Sequence, residues 1–194
     1  GFTAALKGTV FHKDDLRAPS GVRLPETVTT AIAGETKAVA VVLNTIDDQL
    51  HKQDVSLVNW DLEQIPQLRE LVQAAALARR AVIVTSDHGH VVEHGSQVVA
   101  SPVPGADGRW RNVGGAVAEG EIEVRGARVL NDGGAAVLLW REDQHYGRRQ
   151  SGYHGGAALA EMTVPVLVLQ RPGLGAPEGW VIAPSQTPAW WNDP

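Results

Sequence analysis

The sequence predicts an α/β fold in which helices cover both faces of a mainly parallel sheet, giving three layers in the order αβα. Three observations carry this expectation. Residues 81–86 form an apolar run rich in Val and Ile with no polar alternation, as expected of a strand buried on both faces. Residues 38–43 form a second such run, and between the two Ile65, Leu68, Val72, Ala75 and Ala76 repeat at helical spacing, so that strand, helix and strand make a crossover between parallel neighbours. Residues 164–169 supply a third apolar strand. In open sheets of this kind ligands sit beyond the carboxyl ends of the strands, so the residues just C-terminal to each run are the candidates for chemistry.

Taken in order, the first 37 residues read as loops with one helix near 25–33, where Pro25 stands near the start and Gly34 after the end. The strand at 38–44 gives way at once to Thr45, Ile46, Asp47, Asp48, Gln49, Leu50 and His51. The helix at 61–80 has acids leading and Arg79 and Arg80 at its end, which suits the peptide dipole, and Pro66 marks its first turn. The strand at 81–86 ends in Asp87, His88, Gly89 and His90.

Residues 95–135 break this pattern. Gly and Pro clusters between short alternating runs, of which 121–125 is the cleanest, predict a β-rich insertion built of hairpins. Arg109, Trp110 and Arg111 fall at a hairpin tip, where they would either meet a phosphate or a base or serve packing. Gly133 and Gly134 introduce a strand that runs to Trp140. His154 comes next in a Gly-rich loop, ahead of a short helix and the third apolar strand. The tail from Arg171 carries Pro and Trp without periodicity, and Trp180, Trp190 and Trp191 are expected to pack back onto the sheet or to meet another surface.

At 194 residues and 43% hydrophobic, the chain has the size and apolar content of a single domain spanning 1–194. It has no cysteine, which excludes disulfides, thiolate metal sites and cysteine nucleophiles together, so any metal must be held by histidine and carboxylate. No apolar run approaches the roughly 20 residues that cross a bilayer, and the N-terminus lacks a secretion pattern, so the expectation is a cytoplasmic protein without membrane contact. A net charge of -5 argues against broad electrostatic binding of nucleic acid.

Asp87 and His88 fall at the end of a strand, and carboxylate with imidazole is a donor set for a divalent ion such as zinc or manganese. By itself an acid and histidine pair on a loop equally fits a solvated or hydrogen-bonded role. Asp47 and His51 are four apart, so on a helical turn they share a face and can grip one ion, with Asp48 in reserve. The competing role for these acids is to sit near the positive end of a helix dipole. His90 offers a further donor, and His94 stands one helical turn later. His12 and His145 have no partner at ligand spacing and read as surface or hydrogen-bonded residues.

Together these segments resemble the alkaline phosphatase superfamily of two-metal phosphatases, phosphodiesterases, sulfatases and cofactor-independent phosphoglycerate mutases. The pattern there is Asp-x-x-x-His, then a strand followed by Asp-His-Gly, then a late histidine, often in His-Gly-Gly, before a helix with a glutamate and a Val-Pro strand. Asp47 with His51, Asp87 with His88 and Gly89, and His154 with Gly155, Gly156, Glu161, Val164 and Pro165 fill that pattern. Within the superfamily, Thr85, Ser86, Asp87, His88, Gly89 and His90 are most similar to the PglZ domain of bacterial phage-defence systems of the BREX and phage growth limitation type. Val10 to Arg17 and Asn44 to Asp48 are similar to that family as well.

The resemblance implies one metal held by Asp47, His51 and His154 and a second held by Asp87 and His88, zinc being expected and manganese an alternative. It places His90 near the phosphate or the second metal. It also implies a further acid and a Ser or Thr nucleophile on an early strand. None of Thr9, Ser20, Thr27, Thr29 and Thr30 stands at a strand-to-helix turn beside an acid, and the chain opens on Gly1 without methionine, so it reads as the C-terminal part of an incomplete catalytic domain, inactive by itself. The implied partners are other phage-defence proteins and a nucleic acid or phosphorylated substrate. The resemblance thus leaves two readings: a metal-dependent phosphatase or phosphodiesterase, and a non-catalytic interaction module that keeps the fold.

Overall fold

The computed structural model of the chain describes residues 7–17, 24–51, 65–171, 173–181 and 184. Its N-terminal part is an α/β unit. Strand β1 (Thr9–Phe11) leads through a 3-10 turn (Lys13–Leu16) to helix α1 (Glu26–Ala33), strand β2 (Val39–Val41), helix α2 (Thr45–Leu50) and helix α3 (Pro66–Leu77), after which comes strand β3 (Val82–Thr85). Helix α1 stops at Gly34, as the sequence predicts, and α3 starts on Pro66, a residue suited to the first turn because its missing amide would have no partner there. Residues 61–64, where the longer helix was expected to begin, lie outside the described residues.

β1 and β2 run parallel, with Val10 level with Ala40. Phe11, Val39, Val41, Leu43 and Val82 pack with Leu71, Ala74 and Ala78 around a buried cluster of Leu16, Val28, Ile32 and Ala75. Arg80 closes this unit. Its Nε and Nη2 donate to the carbonyls of Ile32 at 2.6 Å and Gly34 at 2.7 Å, satisfying the C-terminal end of α1 rather than that of its own helix.

The rest of the chain is β-rich. Short strands β4 (Val91–Val92) and β5 (Gln97–Val98) are followed by β6 (Ala106–Asp107), β7 (Trp110–Arg111), β8 (Glu121–Arg125), β9 (Ala135–Leu139), β10 (Gln144–His145) and β11 (Gly152–Tyr153), then by helix α4 (Leu159–Met162) and β12 (Val166–Leu169). Four of these form an antiparallel sheet in the order β6, β7, β9, β8, with Ala135, Ala136, Val137 and Leu139 of β9 buried. The hairpins expected in 95–135 are therefore present, and the sheet also recruits residues 135–139.

Three expectations about the main sheet are corrected. The third apolar strand does not join a parallel sheet: β12 runs antiparallel to β3, with Val166 level with Thr85 and Leu169 level with Val82. No ladder joins β2 to β3 among the described residues, so strand, helix and strand there do not form paired parallel neighbours. Nor is β3 buried on both faces. Val82 packs on the core, while Ile83 on the opposite face is 66% exposed, and Val166, Leu167 and Leu169 of its partner are exposed too. Absence of polar alternation reported that neither face is polar, which is not the same as both being covered.

Candidate metal centre

The ribbon that contains β3 explains why distant histidines meet. β4 pairs antiparallel with β11, Val91 opposite Tyr153, and β3 pairs antiparallel with β12, Thr85 opposite Val166. The two ladders are thus parts of one antiparallel ribbon, interrupted between them. On one side the interruption holds residues 86–90, with Asp87, His88 and His90; on the other it holds 154–165, with His154, Gly155, Gly156 and α4. Extending the β4–β11 register by one residue puts His90 opposite His154, and their ring centroids lie 5.3 Å apart.

Helix α2 reaches the same place from β2. Leu50 is buried and lies against Gly152, where an added Cβ would come within 3.0 Å of Leu50 Cδ2. The close approach of a glycine strand to this leucine carries the end of α2 to the ribbon, so His51 stacks on His154 with ring centroids 5.4 Å apart and planes 8° from parallel. His88 stacks on the same ring at 4.3 Å and meets His90 edge-on at 4.9 Å.

Asp47 completes the cluster. Its Oδ1 lies 2.9 Å from His90 Nε2, and ligand atoms of Asp47, His88 and His90 all fall within 4.8 Å of one another. His90 Nε2 is buried and has no aligned hydrogen bond despite that short contact. A nitrogen and a carboxylate oxygen this close, without a hydrogen bond between them, fit a shared cation. Burial holds His90 below the ordinary histidine pKa against a partial pull from Asp47, and burial together with His88 and His90 does the same for His154. Both imidazoles are accordingly neutral near pH 7, the form that donates a lone pair to a metal.

Of the residues singled out in the sequence, the structure brings together Asp47, His51, His88, His90 and His154. Asp87 stands at the margin: its side chain is 88% exposed, with Oδ1 3.7 Å from His88 Nε2 and accepting the His88 amide at 3.2 Å. Asp48 points elsewhere, to an ion pair with Lys13. His94 and His12 are exposed. His145 is buried, hydrogen-bonded through Nδ1 to Ser96 Oγ at 2.7 Å and stacked on Tyr153. Thr9 belongs to β1, and Thr27, Thr29 and Thr30 belong to α1, with Thr29 Oγ1 donating to the Glu26 carbonyl at 3.0 Å; Ser20 lies outside the described residues. Trp190 and Trp191 lie outside them as well, and Trp180 is 48% exposed.

A family model described as the BREX system PglZ alkaline phosphatase-like domain matches residues 2–103. The chain belongs to the PglZ family. The match takes in residues 2–37 as well as Asp47, His51, Asp87, His88 and His90, and ends before His154. No curated protein matched the chain. The cluster lies just past β2 and β3, and it gains His154 from the β-rich part beyond the matched residues. No helix among the described residues is long and apolar enough to cross a membrane.

Of the two roles open to Arg109 and Arg111, burial supports packing: both side chains have no exposed surface. Arg111 pairs with Glu121 at 2.6 Å, and Glu121 also accepts the Tyr146 hydroxyl. Arg109 pairs with Glu161 at 3.0 Å. Alternation in a two-residue strand cannot tell which side faces water, so the sequence carried no local signal for these pairs.

Proposed function

We propose that this PglZ chain holds a divalent metal, zinc in first place and manganese as the alternative, for hydrolysis of a phosphoric ester in a BREX-type phage-defence system. The observation that supports the reading best is the convergence of Asp47 with His51, His88, His90 and His154, drawn from three separate segments, with a buried histidine nitrogen left without a hydrogen bond beside a carboxylate. Exposed acid clusters are common without a metal, but this cluster gathers imidazoles around a carboxylate, the donor set that zinc accepts.

In this reading Asp47, His51 and His154 hold one ion, while Asp87 and His88 face a second position that a further acid and the hydroxyl nucleophile complete from outside this chain. When bound, two such ions polarise the phosphoryl oxygens and lower the pKa of an attacking hydroxyl. His90, with Nε2 2.9 Å from Asp47 Oδ1, offers a further nitrogen beside that carboxylate, and the exposed Asp87 side chain is free to turn toward an added partner. The three-layer αβα arrangement is proposed for the complete domain; it is supported by α1 and α3 lying on one face of the strands while Ile83 and Val166 leave the other open. A cytoplasmic location and contact with other defence proteins go with the same reading.

The test is turnover of bis-p-nitrophenyl phosphate by full-length PglZ protein with zinc, manganese or neither. Metal-dependent hydrolysis lost in Asp47→Ala and His154→Ala is the expected result. Absence of turnover with every metal would leave the non-catalytic interaction module as the better reading.

A further inference from the structure

His88, His90 and His154 ride on two loops, and a single residue ties both loops from behind. The Glu161 carboxylate accepts the Gly156 amide at 2.8 Å and the Ala158 amide at 3.1 Å, closing the loop that carries His154. The Glu161 carbonyl accepts the Gly89 amide at 2.8 Å, between His88 and His90. The fit leaves no slack: a Cβ on Gly89 would lie 1.9 Å from the Ala160 carbonyl oxygen, and one on Gly156 would lie 2.5 Å from both Glu161 Oε2 and the Leu139 oxygen.

Arg109 anchors Glu161 to the β-rich insertion. Its Nε and Nη2 reach the carboxylate at 3.0 to 3.3 Å, Nη1 donates to the carbonyls of Arg141 and Gln144 at 2.6 Å, and Nη2 also reaches the Leu139 carbonyl at 3.3 Å. Each N–H of the guanidinium therefore has an acceptor, a set that the three donors of a lysine ammonium do not reproduce. Leu139 in turn accepts the Ala157 amide at 2.8 Å, and Trp110, next to Arg109, lies against Gly155.

We infer that Arg109 and Glu161 are positioning residues of the metal centre: the insertion sets the spacing between the His88–His90 loop and the His154 loop through this pair, and metal affinity depends on it. The inference rests on the metal-binding reading above. A merely structural role is separable, because the insertion contains a second wholly buried pair, Arg111 with Glu121, whose Arg111 side chain bonds to Glu121 and to carbonyls at 112, 114 and 116 rather than to either histidine loop.

The experiment measures zinc affinity by chelator competition, the visible spectrum of the cobalt-loaded protein, and thermal stability, for the unaltered protein and for Arg109→Lys, Glu161→Gln, Arg111→Lys and Asp47→Ala. Arg109→Lys and Glu161→Gln are expected to weaken zinc about 10- to 100-fold, the range for residues that orient ligands from behind, and to change the cobalt spectrum. Arg111→Lys is expected to lower stability while leaving zinc affinity unchanged. Unaltered zinc affinity in Arg109→Lys and Glu161→Gln, or an equal loss in Arg111→Lys, overturns the inference. Zinc binding that survives Asp47→Ala, or that is absent from the unaltered protein, overturns the metal-centre reading instead. Should the Glu161 and Arg109 variants not fold, amide exchange in the unaltered protein decides: zinc must slow Gly89, Gly156 and Ala158 more than Ala118, the amide held at 2.8 Å by Glu121. Equal effects at all four sites overturn the inference.

Discussion

His90 Nε2 stands 2.9 Å from Asp47 Oδ1, joining the loop after β3 to the helix after β2. This contact links two segments that the sequence suggests belong to different metals, and it makes His90 a part of the cluster rather than an accessory to it. Substitution His90→Ala is expected to leave a site that binds zinc more weakly, since the cluster would lose the nitrogen donor beside Asp47. Calorimetry with zinc checks this; an unchanged affinity would show that the contact is incidental.

Asp47→Ala and His154→Ala are expected to abolish binding of the first zinc equivalent, because each removes one of the donors proposed to hold that ion. Asp48→Ala is expected to leave zinc affinity unchanged, since that carboxylate pairs with Lys13. Loss of zinc in Asp48→Ala alone would reassign the acid of the site.

Gly89→Ala tests the tight seam between the histidine loop and α4. With the added Cβ 1.9 Å from a backbone oxygen, one of the two must move, at a cost of about 1–3 kcal/mol for overpacking. Denaturant unfolding measures the loss, and a variant as stable as the parent would show that the loop relaxes freely.

The acid limb of stability offers a separate test. Hydrogen bonds from Arg111 hold the Glu121 carboxyl at about 2, against the opposing effect of burial, while an unfolded glutamate titrates near 4.5. The depressed value means that the stabilisation is complete above about pH 4.5 and is lost as pH falls toward 2, a contribution on the order of 3 kcal/mol. Glu121→Gln is expected to lower stability at neutral pH and to flatten the pH dependence below 4.5. Parallel acid limbs for the two proteins would refute the linkage.

The one-sided burial of β3 predicts unequal effects of neighbouring substitutions. Val82→Ala removes methyl groups that pack on the core and is expected to cost on the order of 1–2 kcal/mol, whereas Ile83→Ser on the open face is expected to cost less than about 0.5 kcal/mol. Thermal melts of the two variants give the comparison.

Much of the candidate site was legible because its parts are local. Each apolar run ends in polar donors, and Asp47 with His51 shares a helical turn, so the positions could be named without knowing how they meet. The fold was legible less evenly. Helix α1 and the hairpins carry their boundaries in Pro, Gly and alternation, but strand direction does not: β12 looks the same in a parallel or an antiparallel sheet. Burial of Arg109 was illegible for a related reason, because its acceptors are a glutamate and three carbonyls far along the chain.

By itself, then, the amino-acid sequence determined the family, the strand-end donors and the restriction of any metal site to histidine and carboxylate, since these derive from residue type and short-range spacing. Tertiary structure alone decided that the β3–β12 and β4–β11 ladders form one interrupted antiparallel ribbon, that His90 lies against Asp47 and His154, and that Arg109 braces Glu161. Those relationships depend on long-range register and on which face a short strand turns inward, and both are set by how the whole chain buries its apolar surface rather than by any local pattern.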